Sequence, residues 1–186
     1  MVVAGRGINR SSIPLIIPGA VRVESMRVLG VQLRQDLRMS SHINAVLASC
    51  SSSMYALNVL RSHGLSSVAL QEVEKATTVA HLMYASPAWW GYTQAKELAK
   101  VEQLLGRMKR RGLLCPQAKS AATMAIEADK RLFDAICSNQ SHVLHRLFPP
   151  PRPPTGYELR SRSHSFTLPH KDDRNFISRA LFNNIY

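Results

Sequence analysis

The sequence predicts a mainly α protein: an antiparallel helical bundle preceded by a small β-hairpin region and followed by a Pro-rich, mostly irregular tail. Three observations predict it. Apolar and polar residues alternate with a period of two around residues 20–33, three stripes of helical period follow between residues 40 and 112, and five prolines crowd residues 149–154. Apolar residues make up 45% of the 186-residue chain, enough for the core of one ordinary domain or of one domain with a trailing extension.

The opening third has the marks of strands and turns. Residues 1–4 and 14–17 are short apolar runs punctuated by Gly5, Gly7, Ser11 and Ser12. Val21, Val23, then Val28 or Leu29, Val31 and Leu33 alternate with polar neighbours, the pattern of a half-buried hairpin. A strand edge of this kind needs a sheet to join, so the β region is expected to belong to something larger.

The character changes at Ser40-Ser41, where a serine hydroxyl can satisfy a free backbone N–H of a first helical turn. Ile43, Val46, Leu47, Cys50, Met54, Leu57 and Leu60 follow at helical spacing, and Gly64 is a natural stop. A second helix is expected from Ser66, with Leu70, Val73, Ala76, Thr77, Ala80 and Met83 on one face and Pro87 ending it. A third starts near Gln94, capped by Thr93, turns Leu98, Val101, Leu105 and Met108 inward and stops at Gly112. Connections this short favour antiparallel neighbours. Beyond them, residues 120–127 predict a short helix. Asp129 is placed to cap another, with Leu132, Phe133, Ile136, Val143, Leu144 and Leu147 as its apolar positions. The proline run then favours an extended linker, since proline fixes φ and donates no backbone hydrogen bond. A final short helix is expected within residues 174–186, on Phe176, Ile177, Ala180 and Leu181.

The charge balance is the first pointer to function. Twenty-four Lys and Arg stand against 12 Asp and Glu, a net charge of +12, and such a field attracts polyanions, of which nucleic acid is the commonest. The sharpest local feature is Arg107-Met108-Lys109-Arg110-Arg111, at the end of the third helix. Cations there complement the helix dipole, but four in five positions exceed what capping needs, so contact with RNA or DNA phosphates is the functional expectation. Trp89-Trp90-Gly91-Tyr92 could stack on bases, although large aromatics at a bend more often plug a core. Cys50, Cys115 and Cys137 are odd in number and widely spaced, which fits reduced thiols better than a disulfide framework. The first residues carry no long apolar region of the signal-peptide kind, and no stretch is expected to span a membrane. The expected location is therefore intracellular, in nucleus or cytoplasm.

Catalytic patterns are thin. Cys137, His142 and His145 form the best local metal-ligating cluster, and would suit a metal-dependent hydrolase, but their spacing matches no common zinc pattern. There is no G-x-S-x-G elbow, no phosphate-binding glycine loop and no paired-carboxylate set of the kind that holds two magnesium ions. The adjacent pair Asp172-Asp173 lies between Lys171 and Arg174, where a solvated turn is expected.

Taken in order, several segments resemble one family. Val28-Leu29-Gly30-Val31, followed by Leu37 and Ser41-His42-Ile43, resembles the Leu-Gly-Val strand and His-Ile helix start just after the palm of non-LTR (LINE-type) retrotransposon reverse transcriptases. Met54-Tyr55-Ala56-Leu57, Leu60-Arg61 and His63-Gly64-Leu65 are similar to that family's first thumb helix. Tyr84-Ala85-Ser86-Pro87-Ala88-Trp89 resembles its tyrosine-x-serine-proline-x-tryptophan signature. His142-Val143-Leu144-His145, Leu147-Phe148-Pro149-Pro150, Tyr157-x-Leu159-Arg160-x-Arg162-x-His164 and Asn175-Phe176-Ile177 resemble the C-terminal end of jockey- and CR1-like elements.

The resemblance implies terminal palm-like strands over residues 1–36, a three-helix thumb-like bundle over 40–112, further helices over 113–148, and a Pro-rich linker with a basic tail over 149–186. It implies an RNA-directed DNA polymerase whose thumb grips a template–primer duplex by its backbone. Leu29, Gly30, Val31, His42, Tyr84, Pro87, Trp89, His142, Arg160, Arg162 and His164 would be structural motif residues, and Arg107, Lys109, Arg110 and Arg111 would be nucleic-acid contacts. The family's catalytic carboxylates and their magnesium belong to palm motifs upstream of Leu-Gly-Val, and this sequence has no counterpart to them. The expectation is therefore a truncated polymerase with no cofactor of its own, inactive alone. The competing expectation is an independent basic helical nucleic-acid-binding module.

Overall fold

The computed structural model describes residue 21, residues 23–153 and residues 162–185. The expected strands over residues 1–4 and 14–17, together with Pro154 and Arg160, lie outside the described residues. The protein is mainly helical, with a two-stranded antiparallel sheet ahead of the helices. Its chain contacts divide it into two compact units, Met1–Tyr84 with Tyr92–Ala118 and Ala85–Gly91 with Lys119–Tyr186.

In the first unit, β1 (Ser25–Val28) pairs with β2 (Val31–Arg34) in the register Val28↔Val31. This corrects the Leu-Gly-Val strand. Leu29 and Gly30 are the turn itself, with φ of 46° and 86°, and two central residues at positive φ are the pattern of a type I′ hairpin. Leu29 stands 86% exposed at the tip, β1 is exposed throughout, and Val31 is the one buried strand residue, so the alternation buries only one strand.

Helix α1 (Ser40–Ser62) buries His42, Ile43, Val46, Cys50, Met54 and Leu57. Ser40 is not the cap. It is the first helical residue, and its hydroxyl donates to Glu97 Oε1. Leu60, expected inside, is 45% exposed. The 23-residue α1 has a mean hydropathy of 1.3 over its best window, long and apolar enough by composition to cross a membrane, contrary to the expectation that no stretch is. Here it is the helix against which the rest of the unit packs.

The second helical stretch departs most from its periodicity. It runs as α2 (Ser67–Glu74), a π turn (Lys75–Val79) and α3 (Ala80–Met83), capped as expected by the Ser66 hydroxyl, which accepts from Ala69 N. The buried positions are Leu70, Glu74, Thr78 and Leu82, while Val73, Ala76, Thr77 and Ala80 are exposed. A π turn takes more residues per revolution, so the inward stripe advances by fours and carries polar residues inside. Thr78 donates to Glu74 Oε2 at 2.8 Å, while Glu74 Oε1 is buried without a partner. Burial pushes the Glu74 carboxyl above its ordinary range, against the smaller lowering by Thr78. Burial, with the Glu74 charge nearby, also pushes the Cys50 thiol up to about 11. Pro87 does not end this helix. Tyr84 and left-handed Ala85 do, and Pro87 sits in the first turn of α4 (Ser86–Trp89).

Helix α5 (Ala95–Arg110) starts one residue later than expected, because Gln94 rather than Thr93 occupies the cap and forms a capping box with Glu97. Val101, Leu104, Leu105 and Met108 are its buried apolar positions. Leu98 is only half-buried.

In the second unit, residues 121–138 form one helix, α6 (Ala121–Ser138), where two were expected. Asp129 is therefore no cap: it sits mid-helix, 3% exposed, on the buried stripe Ala121, Ala125, Asp129, Phe133, Ile136. What allows this is Arg179 of α7 (Phe176–Asn183). Its Nε and Nη2 donate to the two Asp129 oxygens at 2.6 and 3.1 Å. Nη1 donates to the carbonyls of Asp173 and Arg174 at 3.0 and 3.3 Å, and Nη2 also to that of Pro87 at 3.1 Å. Five contacts match the five N–H donors of a guanidinium. Gly91 makes room for it: a Cβ there would collide with Arg179 Nη1 and lie 2.5 Å from the Asp173 oxygen.

The described residues of the expected irregular tail ahead of α7, 149–153 and 162–175, hold one isolated bridge and no helix or strand. Pro151 bridges antiparallel to Phe166, Arg152 N donates to Ser165 O at 2.7 Å, and Thr167 N donates to Pro150 O at 3.0 Å. Proline removes one ladder donor but leaves its carbonyl, which is the group Thr167 uses. Phe133, Ala180 and Leu181 form the core, with Phe148, Phe166, Leu168, Phe176 and Ile177 packed against it.

The buried charges are open to two tests. Asp129→Ala strands the Arg179 guanidinium without its counter-ion, and should cost about 3–5 kcal/mol in a urea titration. For Glu74, the folded carboxyl keeps its proton above the ordinary 4.5, so stability falls as pH rises from there through the raised folded value. Glu74→Gln should therefore raise the urea midpoint at pH 7 and leave it nearly unchanged at pH 4. An equal gain at both pH values would contradict this.

Candidate nucleic-acid interface

The end of α5 is built from its buried side outward. The capping box and the Ser40–Glu97 hydrogen bond fix the start of the helix, and Lys100 Nζ donates to Asn44 Oδ1 at 3.4 Å one turn on. The helix therefore runs parallel to α1. Inward Val101, Leu104, Leu105 and Met108 set its rotation, which leaves Arg107 and Arg110 exposed in the last turn and Arg111 exposed at the C-cap.

Gly112 then closes the helix at a φ of 66°, a left-handed value at which a side chain would be strained. Gly112 N donates to Lys109 O and Leu113 N to Met108 O, both at 3.0 Å, the paired bonds of a Schellman motif. Leu113 and Leu114 are buried, so the chain is pulled back under the helix end.

The four expected contact residues do not share one role. Lys109 is half-buried, and its ammonium donates to the Ala118 carbonyl at 2.6 Å, which holds the loop that follows. Among the described residues, no carboxylate is ion-paired with Arg107, Arg110 or Arg111. Because α1 and α5 run parallel, exposed Arg61 and His63 come to the same end of the unit. Gln71 near the start of α2 also reaches it, donating to Gly112 O at 3.4 Å. The result is a cationic end that a helix dipole alone would not require.

The other motif residues are dispersed. In the first unit, Tyr84 OH donates to Leu29 O at 3.2 Å, and buried His42 accepts from Gln32 N through Nδ1 at 3.5 Å. In the second, Trp89 is 1% exposed, which makes it core and withdraws it from base stacking, and the Pro87 carbonyl serves Arg179. His142 folds back to accept from Leu144 N at 3.2 Å, and Arg162 is half-buried. His164 accepts from Phe166 N through Nδ1, which leaves the proton on Nε2 to bond Leu181 O at 3.0 Å. Among the described residues, no three His, Cys, Asp or Glu side chains gather to hold a metal ion, and Cys137, His142 and His145 are not brought together as one.

Sequence periodicity and motif order do not reveal the Asp129–Arg179 pair. The available signal was an aspartate four residues from Ala125 and four from Phe133, on an otherwise apolar stripe, where an unpaired charge is too costly to keep. No family model, curated protein or solved structure matches this chain.

Lys109→Met should lower stability by about 1–2 kcal/mol, the worth of a partly exposed charge-assisted hydrogen bond. It should leave nucleic-acid affinity within about twofold, as fluorescence anisotropy would show. A large loss of affinity without loss of stability would return Lys109 to the contact set.

Proposed function

We propose that this chain grips a nucleic-acid duplex through its phosphate backbone, as the thumb and C-terminal region of a non-LTR retrotransposon RNA-directed DNA polymerase. The observation that carries the reading is the exposed set Arg107, Arg110 and Arg111, free of carboxylates among the described residues and raised on a rigidly seated helix end. The order of family-like motifs along the chain supports the same reading. Three guanidiniums can each take a phosphate by two parallel hydrogen bonds, a geometry lysine lacks.

Five of the described acidic residues do local work. Asp129 holds Arg179, Glu97 caps α5, and Asp36, Glu127 and Asp134 pair with neighbouring cations. On this reading the chain contributes grip, and catalysis falls to the carboxylates and magnesium of a palm. The same surface would serve an independent helical nucleic-acid module. A preference for primed RNA–DNA hybrid over B-form duplex separates the two, because a polymerase thumb meets A-like geometry.

Substituting Arg107, Arg110 and Arg111 together by Gln should flatten the plot of log affinity against log salt by about 2–3, at roughly 0.9 for each phosphate no longer neutralised. The melting temperature should stay within a few degrees. Purified protein with primed RNA, nucleotides and magnesium should give no primer extension. An unchanged salt slope overturns the assigned surface, and extension overturns grip without catalysis.

A further inference from the structure

A second group of N–H donors lies apart from the end of α5. Three contacts assemble it. The Tyr84 phenol donates to Leu29 O, and its ring lies 3.2 Å from where a Gly30 Cβ would stand, so the end of α3 is seated on the hairpin tip. Ser49 Oγ lies 3.5 Å from His81 Nδ1, which sets α3 beside α1. Gln32 N donates to His42 Nδ1, which sets β2 on the first turn of α1. Arg27 is the register partner of Gln32 on β1. The three contacts thus bring Arg27, His42 and His81, from three different elements, into one neighbourhood.

Their proximity is felt by His42, whose ring is held below the ordinary imidazole range by burial first and then by the positive fields of His81 and Arg27. Arg27 and His81 are both exposed, and among the described residues neither is ion-paired with a carboxylate. Arg34 and Arg38 nearby share Asp36 instead. An exposed guanidinium and imidazole that converge with no carboxylate between them leave N–H groups that a phosphate can accept, and the guanidinium charge draws it in.

We propose that Arg27 and His81, with His42 behind them, form a second contact site for a backbone phosphate of the duplex, separate from Arg107, Arg110 and Arg111. The inference rests on the nucleic-acid reading above. From Lys100, which is level with Asn44 of α1, to Arg110, helix α5 rises roughly 15 Å. One phosphate cannot bridge that distance, so the two sites take different phosphates, roughly four nucleotides apart if they meet one strand.

The test is the salt dependence of binding to a short fluorescein-labelled RNA–DNA duplex, read by anisotropy on the full chain. Arg27→Gln with His81→Gln should lower the slope by about 1, and should do so equally in the wild-type and in the Arg107, Arg110, Arg111→Gln background. The donor-keeping pair Arg27→Lys with His81→Lys should restore it. If the Gln pair leaves slope and affinity unchanged while the α5 triple variant flattens them, the second site is wrong and the first stands. A weakening that the Lys pair fails to restore marks a structural effect and also overturns the site. A wild-type chain that binds no duplex removes both.

Discussion

A guanidinium taken out of water must have every N–H answered, because each unanswered donor costs more than the bond it would have made. Arg179 meets that demand with five contacts drawn from three stretches of chain: Asp129 on α6, the Pro87 carbonyl of α4, and the carbonyls of Asp173 and Arg174 just before α7. The second unit is organised around this condition. The segment Ala85–Gly91 belongs to it although the next 27 residues do not, and Gly91 cannot bear a side chain, because the guanidinium and the Asp173 carbonyl occupy the space. The aromatic core of Phe133, Phe148 and Phe166 supplies non-directional attraction, with ring centroids 5.0–5.7 Å apart. The ion pair supplies the directional part, fixing which turn of α7 meets which turn of α6.

The first unit uses its buried polar groups to a different end. Glu97 spends one oxygen on its own helix start and the other on Ser40, so a single carboxylate fixes the register of α5 against α1. Because that register is set, the exposed arginines at the far end of α5 occupy defined positions rather than a frayed terminus. The Schellman closure at Gly112, buried Leu113 and the Lys109–Ala118 bond hold that end from below. Glu74 is one exception, with the buried Ser41 hydroxyl: its second oxygen is buried and unanswered just ahead of the π turn, a local cost that the packing of Leu70 and Leu82 on either side has to offset.

The helical class, the hairpin and most helix boundaries were legible because they depend on local signals: period, caps and glycine stops. Gly64, Ser66 and Gly112 each mark the boundary the sequence suggests. The misses share a cause, in that a distant partner overrides local preference. Asp129 is a fair cap by composition and becomes a core residue only because Arg179, fifty positions on, is there to meet it. The inward face of the second helix departs from the expected stripe because a π turn leaves no mark in residue types. Proline-rich residues 149–153 have the composition of a linker, yet the Pro150 carbonyl accepts from Thr167 N and Arg152 N donates to Ser165 O. Of the basic cluster at Arg107–Arg111, the position was legible, but its division between three exposed arginines and one structural lysine was not.

Charge, exposure and motif order together support the proposal that this chain holds nucleic acid by its phosphates. That is a statement about counter-ions, and it is most directly tested by the wild-type affinity for primed RNA–DNA duplex over a range of salt concentrations. The account predicts affinity that falls steeply, with a log–log slope of about −3 or steeper. A slope near zero, or no binding at low salt, would contradict it.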